Sequence, residues 1–165
     1  MNPDGSQKWK CGIGEGTALN PSIASDGTIY VGWDKIYAIN SDGSNKWSFN
    51  PGTERHIFTS SPAISADGTI YFGTNIGEAA GGEIIAVNPD GTERWRKKIA
   101  NYWVDSSPSI AEDGTVYIGS AHSMGIGYLH AFGPQETNEP PTSPEITGTT
   151  SGKTGNSYNL SLIHI

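Results

Sequence analysis

The sequence predicts an all-β fold made of repeated four-stranded antiparallel units, and three observations support this prediction. A twelve-residue phrase occurs at 21–32, 62–73 and 108–119, and its Asp-Gly pairs lie 41 and 46 residues apart. Alternating apolar and polar residues flank these pairs, which is the pattern of β-hairpins. A Trp recurs five residues after the aspartate of a second Asp-Gly pair. A repeat of this length indicates stacked β-units.

Two Asp-Gly turns divide each unit into four strands, here called A, B, C and D. The first unit predicts them near 21–24, 28–32, 35–40 and 45–49. The second unit predicts them near 61–65, 69–73, 83–88 and 93–98, and the third predicts A, B and C near 107–111, 115–119 and 128–132. Because Asp-Gly is typical of two-residue hairpin loops, we expect type I′ turns at these pairs.

Units of this kind are typical of the blades of a β-propeller. Residues 1–133 then contain one isolated D strand (6–11), two whole blades (17–49 and 58–98) and a third blade without its D strand (103–132). A propeller ring typically needs about four to eight blades. We therefore expect the chain to be a fragment of a longer protein.

The composition changes after the third unit. Residues 134–144 form a Pro-rich linker, and residues 145–165 have the pattern of a strand, a Gly-containing turn and a second strand. This pattern predicts the truncated start of an immunoglobulin-like β-sandwich or PKD-like module.

Composition and charge argue against several functions. The net charge is −7 and the ten basic residues are scattered, whereas nucleic-acid binding needs clustered Lys and Arg. Cys11 is the only cysteine, so neither an intrachain disulfide nor a Cys-based zinc site is possible. No apolar run approaches the ~20 residues of a transmembrane helix. Residues 1–16 contain no signal-peptide core, and we expect an export signal upstream.

Three tryptophans, Trp9, Trp47 and Trp95, occupy the same position on strand D of successive units. A large aromatic residue that recurs in one slot per repeat is expected to pack one sheet against the next. Stacking on a carbohydrate or cofactor is the alternative interpretation of these residues.

The loops fall on two faces of the units. The A–B and C–D turns have constant spacing, whereas the B–C and D–A loops on the other face vary in length. Because variable loops on a rigid scaffold commonly carry function, we predict a binding surface on the B–C/D–A face. The candidate binding residues are Arg55, His56, Asn75, Glu78, Tyr102, Trp103, Asp105 and His122. No residue is assigned to catalysis, to a cofactor or to a metal.

The phrases SSPAISADGTIYFGT (60–74) and IIAVNPDGTERWR (84–96) resemble repeats of the PQQ-like, or quinoprotein-like, β-propeller superfamily. The resemblance extends over residues 1 to about 133. It implies that Trp9, Trp47 and Trp95 dock neighbouring blades. The superfamily includes pyrroloquinoline-quinone dehydrogenases, but also non-enzymatic members such as the envelope scaffold BamB and WD40-like repeat proteins of cell surfaces.

The predicted function is that of a non-enzymatic, secreted or cell-surface scaffold that binds a protein or a surface polymer without a cofactor. We expect it to act outside the cell or in the periplasm. Two alternatives remain open. One is a PQQ- and calcium-dependent dehydrogenase whose active site lies in further blades, and the other is a polysaccharide-binding or polysaccharide-cleaving surface protein. The resemblance implies that a dehydrogenase needs a catalytic Asp and calcium ligands, whereas turns explain the repeated aspartates of this chain.

Overall fold

The computed structural model describes residues 4–14, 20–52, 60–75, 81–99, 102–122 and 125–133. All of them belong to one unit, Met1–Pro134. The described residues form eleven strands in three antiparallel sheets and contain no helix. The predicted linker at 134–144 and the module predicted at 145–165 lie outside the described residues.

Each sheet is one of the units predicted from the repeat, and we call the sheets blades 1, 2 and 3. Blade 1 consists of β1 (Ser22–Ile23), β2 (Ile29–Gly32), β3 (Ile36–Ile39) and β4 (Asn45–Phe49). Blade 2 consists of β5 (Ala63–Ile64), β6 (Ile70–Asn75), β7 (Gly82–Val87) and β8 (Glu93–Ile99). Blade 3 consists of β9 (Ser109–Ile110), β10 (Val116–Ala121) and β11 (Gly127–Phe132).

In every blade the strands pair in chain order, so each sheet is an antiparallel meander. This confirms the predicted all-β fold of partial propeller blades. The A strands β1, β5 and β9 contain only two residues each, and each one forms an edge of its sheet, here called the inner edge. Ser22 Oγ donates to Pro62 O, and Ser61 N donates to Ser107 Oγ (2.9 Å), which links these inner edges between blades.

The hydrophobic core lies between the blades, because side chains alternate across each sheet. One face of blade 2 packs against blade 1, and the buried residues of that interface are Tyr30, Ile36, Ala38, Ile70, Phe72, Ile85 and Val87. The other face packs against blade 3, and its buried residues are Tyr71, Ile84, Ala86, Ile99, Val104, Val116 and Ile118. Blade 2 is therefore buried on both faces.

The Asp-Gly turns are not the predicted type I′ turns. Gly27 N donates to Ala24 O (2.9 Å) and Ala24 N donates to Thr28 O (2.9 Å), so Ser25 and Asp26 are the central residues. Gly27 follows them with a φ of +83°, which makes a three-residue loop of the kind that ends in a G1 bulge. The Asp26 carboxylate accepts a hydrogen bond from the Thr28 amide (2.9 Å), an Asx-type bond that stabilises this three-residue loop. The same backbone bonds recur at Gly43, Gly68, Gly91 and Gly114.

The D strand predicted at residues 6–11 is not a strand in the structure. Residues 5–14 form no regular secondary structure and pair with none of the described strands. The segment still contacts blade 1 through its tryptophan.

Candidate functional site

Two of the three repeated tryptophans contact the turn between the third and fourth strands of the blade that follows them in the chain. Trp47 on β4 donates from Nε1 to Pro89 O in the β7–β8 turn of blade 2 (2.9 Å). Trp9 makes the same bond to Ser41 O in the β3–β4 turn of blade 1 (3.0 Å). The polar edge of both indoles is thus occupied by a backbone carbonyl, as expected of packing residues.

Trp95 on β8 has different neighbours. Its ring lies 5.8 Å from Tyr71 in its own blade and 6.2 Å from Phe132 on β11. No carbonyl of the described residues accepts its indole N–H, although Trp9 and Trp47 both have such an acceptor. A cavity of about 430 Å³ lies beside it and is lined by residues of β8 and blade 3, among them Arg94, Lys97, Gly114 and Gly133.

Five of the eight candidate binding residues fall in the described part of the chain. Asn75 ends β6 and His122 follows β10, while Tyr102, Trp103 and Asp105 lie in the D–A loop between β8 and β9. Arg55, His56 and Glu78 lie outside the described residues. Asn75 is therefore the last residue of a strand and not a residue of the B–C loop in which the sequence placed it, whereas the other four lie outside the strands; their role in binding stays a prediction.

A backbone bridge brings two of the candidates together. Trp103 N donates to Ala121 O (2.8 Å) and Ala121 N donates to Trp103 O (3.0 Å). This antiparallel pair ties the D–A loop to the end of β10 and places Tyr102 beside His122. The rings of these two residues meet edge to face, with centroids 5.7 Å apart.

Tyr102 also meets a residue that sequence reasoning did not select as a site. Its ring packs edge to face on Tyr128 of β11, with centroids 5.0 Å apart and planes at 80°. The hydrogen bond to Tyr128 is the largest cause of the raised pKa of Tyr102. We call Tyr102, His122 and Tyr128 the aromatic cluster. Edge-to-face ring pairs of this kind contribute ~0.5–1.5 kcal/mol each beyond the area that they bury.

The aromatic cluster continues along β11. Tyr128, His130 and Phe132 alternate with other residues and therefore share one face of the strand. His130 stacks on Phe132 (6.2 Å, 22°), and its Nε2 lies 2.7 Å from Ser120 Oγ. These three side chains line a second cavity of about 430 Å³ together with Tyr102, Lys98 and Ile99. In the sequence, the alternation of ring-bearing and other residues at 128–132 was the signal that these three side chains share one face of the strand.

Asn75 at the end of β6 and Asp105 in the D–A loop form a polar pair near the aromatic residues. Burial raises the pKa of the Asp105 carboxyl, and the hydrogen bond from Asn75 opposes this effect. Both residues are half-buried. Val104, next to Asp105, is fully buried above Gly73, whose ideal Cβ would lie 2.4 Å from Val104 O. The pair is therefore held by a tightly packed part of the loop.

On the opposite face, a cation from strand D holds the A–B turns of blades 1 and 2, and sequence reasoning missed this contact. Lys46 Nζ lies 3.3 Å from Asp26 Oδ2 and 2.9 Å from Thr28 Oγ1. In blade 2, Arg94 Nη1 lies 2.7 Å from Asp67 Oδ2. The signal was present, because a basic residue precedes each repeated Trp: Lys8, Lys46 and Arg94.

Metal-ligating side chains are not clustered in the described part of the chain. Within this part, no group of three or more His, Cys, Asp and Glu side chains lies close enough to hold a metal ion. Nor does the described part include a helix that is long and apolar enough to cross a membrane.

Comparison with known proteins shows similarity in fold alone. No family model matches the sequence, and no curated protein matches it significantly. A solved structure of a Bacteroides caccae protein of unknown function aligns with 84% of this chain at 15% identity and a TM-score of 0.53. A streptogramin B lyase structure aligns with 71% of the chain at 16% identity and a TM-score of 0.45. The chain spans 50% of the first protein and 40% of the second.

The three stacked antiparallel units, with a core between them, define the described chain as a section of a β-propeller.

Proposed function

We propose that this propeller section is a non-enzymatic scaffold that binds a protein partner through the aromatic cluster of blade 3. The observation that supports the proposal is that Tyr102, His122 and Tyr128 converge from two loops and a strand onto the face where loop length varies. Tyr128 keeps 49% of its surface exposed despite two ring contacts. Tyr is enriched at protein interfaces because it offers a large, rigid apolar area with a polar tip.

Neighbouring groups extend this surface. Ile126 lies opposite His122 in the β10–β11 hairpin, where His122 N donates to Ile126 O (2.9 Å), and 53% of its surface is exposed. Lys98 lines the adjacent cavity and supplies a positive charge at its rim. Protein interfaces combine a centre that is enriched in aromatic residues with a polar, solvent-accessible rim, and this surface offers both.

We further propose that the protein acts at the cell surface or in the periplasm. The support is the resemblance of its repeats to the PQQ-like superfamily, whose scaffold members work there, and the Ig- or PKD-like pattern predicted at residues 145–165. The gene in its source genome should then encode an export signal ahead of the propeller. An upstream region without one would contradict this location.

The interaction site can be tested with a random-peptide display library panned against the immobilised chain. We expect enriched peptides whose affinity falls at least tenfold in Tyr102→Ala and Tyr128→Ala. Tyr37→Ala, a half-buried tyrosine of blade 1, is the matched control and should leave the affinity unchanged. Peptides that bind all variants equally, or no enrichment at all, would overturn the assignment of the aromatic cluster.

The same variants separate the remaining alternatives. Binding of soluble glucan or chitin oligosaccharides that depends on Tyr128, without peptide enrichment, would favour the polysaccharide-binding alternative. For the dehydrogenase alternative, the chain is titrated with pyrroloquinoline quinone and Ca²⁺ while tryptophan fluorescence is followed. Saturable quenching, together with reduction of a dye when alcohols or sugars are added as substrates, would show that the protein is an enzyme and would overturn the scaffold proposal.

A further inference from the structure

Two polar side chains are buried between blades 1 and 2, beyond the apolar part of that interface. Thr74 lies on the same face of β6 as the core residue Phe72, and Glu83 lies on the same face of β7 as Ile85, because side chains alternate along a strand. Thr74 is 0% exposed and Glu83 is 6% exposed. The two are ladder partners, so their Cβ atoms are about 4.5–5.5 Å apart.

Arg96 on β8 joins this pair to blade 1. Its Nη1 lies 3.3 Å from Glu83 Oε2 and donates to Pro51 O at 3.3 Å, while its Nε donates to Glu93 Oε1 at 2.6 Å. The buried charge of Glu83 is thus compensated, and the D–A loop that follows β4 is tied to blade 2. We call Thr74, Glu83, Arg96 and Pro51 the polar seam.

The hydroxyl group of Thr74 is the unexplained atom of the polar seam. Its Oγ1 is fully buried and makes no hydrogen bond to any residue that the structure describes. Burial of a hydroxyl without a partner is costly, and nearly all such groups in folded proteins bond to protein or to ordered water. A valine would fill the same space without this cost, so the hydroxyl indicates a partner that is not a described side chain.

Blade 3 satisfies the equivalent hydroxyl with a side chain of its own. Ser120 has the place of Thr74 there, one residue after the Gly that ends the repeated phrase. Its Oγ lies 2.7 Å from Nε2 of His130 on β11. The ladder registers put Ile85 where blade 3 has His130, and an apolar side chain cannot bond to a hydroxyl. The polar group of that strand is instead Glu83, directly opposite Thr74.

We propose that an ordered water molecule binds in the polar seam, where it accepts a hydrogen bond from the Thr74 hydroxyl and donates one to the Glu83 carboxylate. The Pro51 carbonyl can accept a third bond, because it has two acceptor sites and lies 3.3 Å from the same Arg96 atom as Glu83 Oε2. Three bonds are typical of a buried water.

The charges of the polar seam favour a neutral ligand. A metal cation would lie close to the Arg96 guanidinium, and an anion would lie close to Glu83 and Glu93, so either ion would be repelled at short range. A carboxylate can only accept hydrogen bonds, whereas a hydroxyl can donate one. The ligand must therefore both donate and accept, and water is the smallest molecule that does so.

The water completes a network that holds two blades together on the side of the variable loops. Through Pro51 and Arg96, this network fixes the start of a D–A loop relative to β7 and β8. On the opposite side, Lys46 and Arg94 bond only to turns of their own blades. The polar seam is therefore a positioning site for the face on which we predict binding.

Thr74→Val tests the water directly, because it replaces the hydroxyl by a methyl group of nearly the same volume. Relaxation dispersion of oxygen-17 in the solvent counts water molecules with long residence times inside a protein. We expect Thr74→Val to lose one such water relative to the unmodified 165-residue chain. Ser120→Ala is the matched control and should lose none, because its hydroxyl has a protein partner. An unchanged count in Thr74→Val would overturn the proposal.

Urea unfolding gives an independent test through the sign of the change. When water satisfies the hydroxyl, Thr74→Val removes a hydrogen bond and its unfolding midpoint falls, whereas Thr74→Ser keeps the bond and should retain the water. A hydroxyl without any partner predicts the reverse, since an apolar side chain is then preferred. A raised midpoint in Thr74→Val would therefore overturn the proposal.

The same unfolding experiment distinguishes water from a cation. We expect the midpoint of the unmodified chain to be equal in choline chloride, sodium chloride and potassium chloride at one ionic strength. A midpoint that rises with Na⁺ or K⁺, and does so no longer in Thr74→Val, would show that the polar seam binds a cation and would overturn the assignment of water.

Discussion

Gly91 lies directly under the indole of Trp47, and a Cβ placed on it would be 2.8 Å from Trp47 Cδ2. The glycine belongs to the β7–β8 turn of blade 2, and the tryptophan belongs to β4 of blade 1. The position therefore carries two requirements. Its φ of +89° is costly for any residue with a Cβ, and the neighbouring blade leaves no room for one.

The two requirements can be separated by substitution. Gly114 in blade 3 has nearly the same φ, +84°, with nothing within 4 Å of its Cβ position. We expect Gly114→Ala to reduce the free energy of unfolding by about 1–2 kcal/mol through backbone strain alone. Gly91→Ala should lose a further ~1–3 kcal/mol, because overpacking is added. Urea unfolding measures both, and equal losses would mean that Trp47 does not rest on Gly91 in solution.

Substitution of Trp47 tests the contribution of the indole itself. Trp47→Phe keeps an aromatic ring but loses the bond to Pro89 O, so we expect a loss of ~1 kcal/mol. Trp47→Ala also removes the ring that packs at the interface of blades 1 and 2, and should cost ~3–5 kcal/mol in unfolding free energy. A cost below about 1 kcal/mol for the alanine variant would show that the blades associate without this residue.

The turn aspartate Asp67 should make stability depend on pH in the acid range. The Ser65 hydroxyl, Arg94 and Thr69, in that order of effect, hold the pKa of Asp67 well below its usual range. Because the folded pKa is lowered, the stabilisation is present above the unfolded pKa of about 4 and is lost as the pH falls. Asp67→Asn should therefore destabilise at pH 7 and become nearly neutral in acid.

The size of this effect is limited by exposure. The side chains of Asp67 and Arg94 are 56% and 46% exposed, so screening by water keeps the loss at pH 7 to about 1 kcal/mol or less. Thermal melts at pH 7 and at the lowest pH where the protein still folds measure the difference. Glu112→Gln, on an exposed carboxylate of another turn, is the control. A loss that does not change with pH would rule out ionisation of Asp67 as its cause.

Asp105 should show the opposite dependence. Burial raises the pKa of its carboxyl, so the ionised form is disfavoured in the folded state. Stability is then lost as the pH rises from the unfolded pKa through the higher folded pKa. We expect Asp105→Asn, which retains an amide oxygen for Asn75, to be more stable than the natural chain at pH 7 by up to ~1 kcal/mol. The two should be equally stable below pH 4, and a destabilised variant at pH 7 would indicate that the charge is required.

Much of the fold could be predicted because its instructions are local and repeated. Every described strand of the three blades lies where alternation and turn residues predicted it, and Tyr102, Trp103, Asp105 and His122 lie between strands as expected, whereas Asn75 extends β6. The turn type was wrong. Asp-Gly was assigned to the centre of each loop, whereas the bond from the Thr28 amide to Asp26 moves the loop back by one residue.

The sequence by itself determined the antiparallel meanders, their order and the repeated tryptophan, because hairpins and strand alternation depend on residues only a few positions apart. Only the tertiary structure decided which groups meet between elements. The Trp103–Ala121 bridge gathers Tyr102 with His122, and the stacking of blades places Trp47 on Gly91. Such contacts join residues that are far apart in the chain, and their distances follow from how whole sheets pack, which no short stretch of sequence encodes.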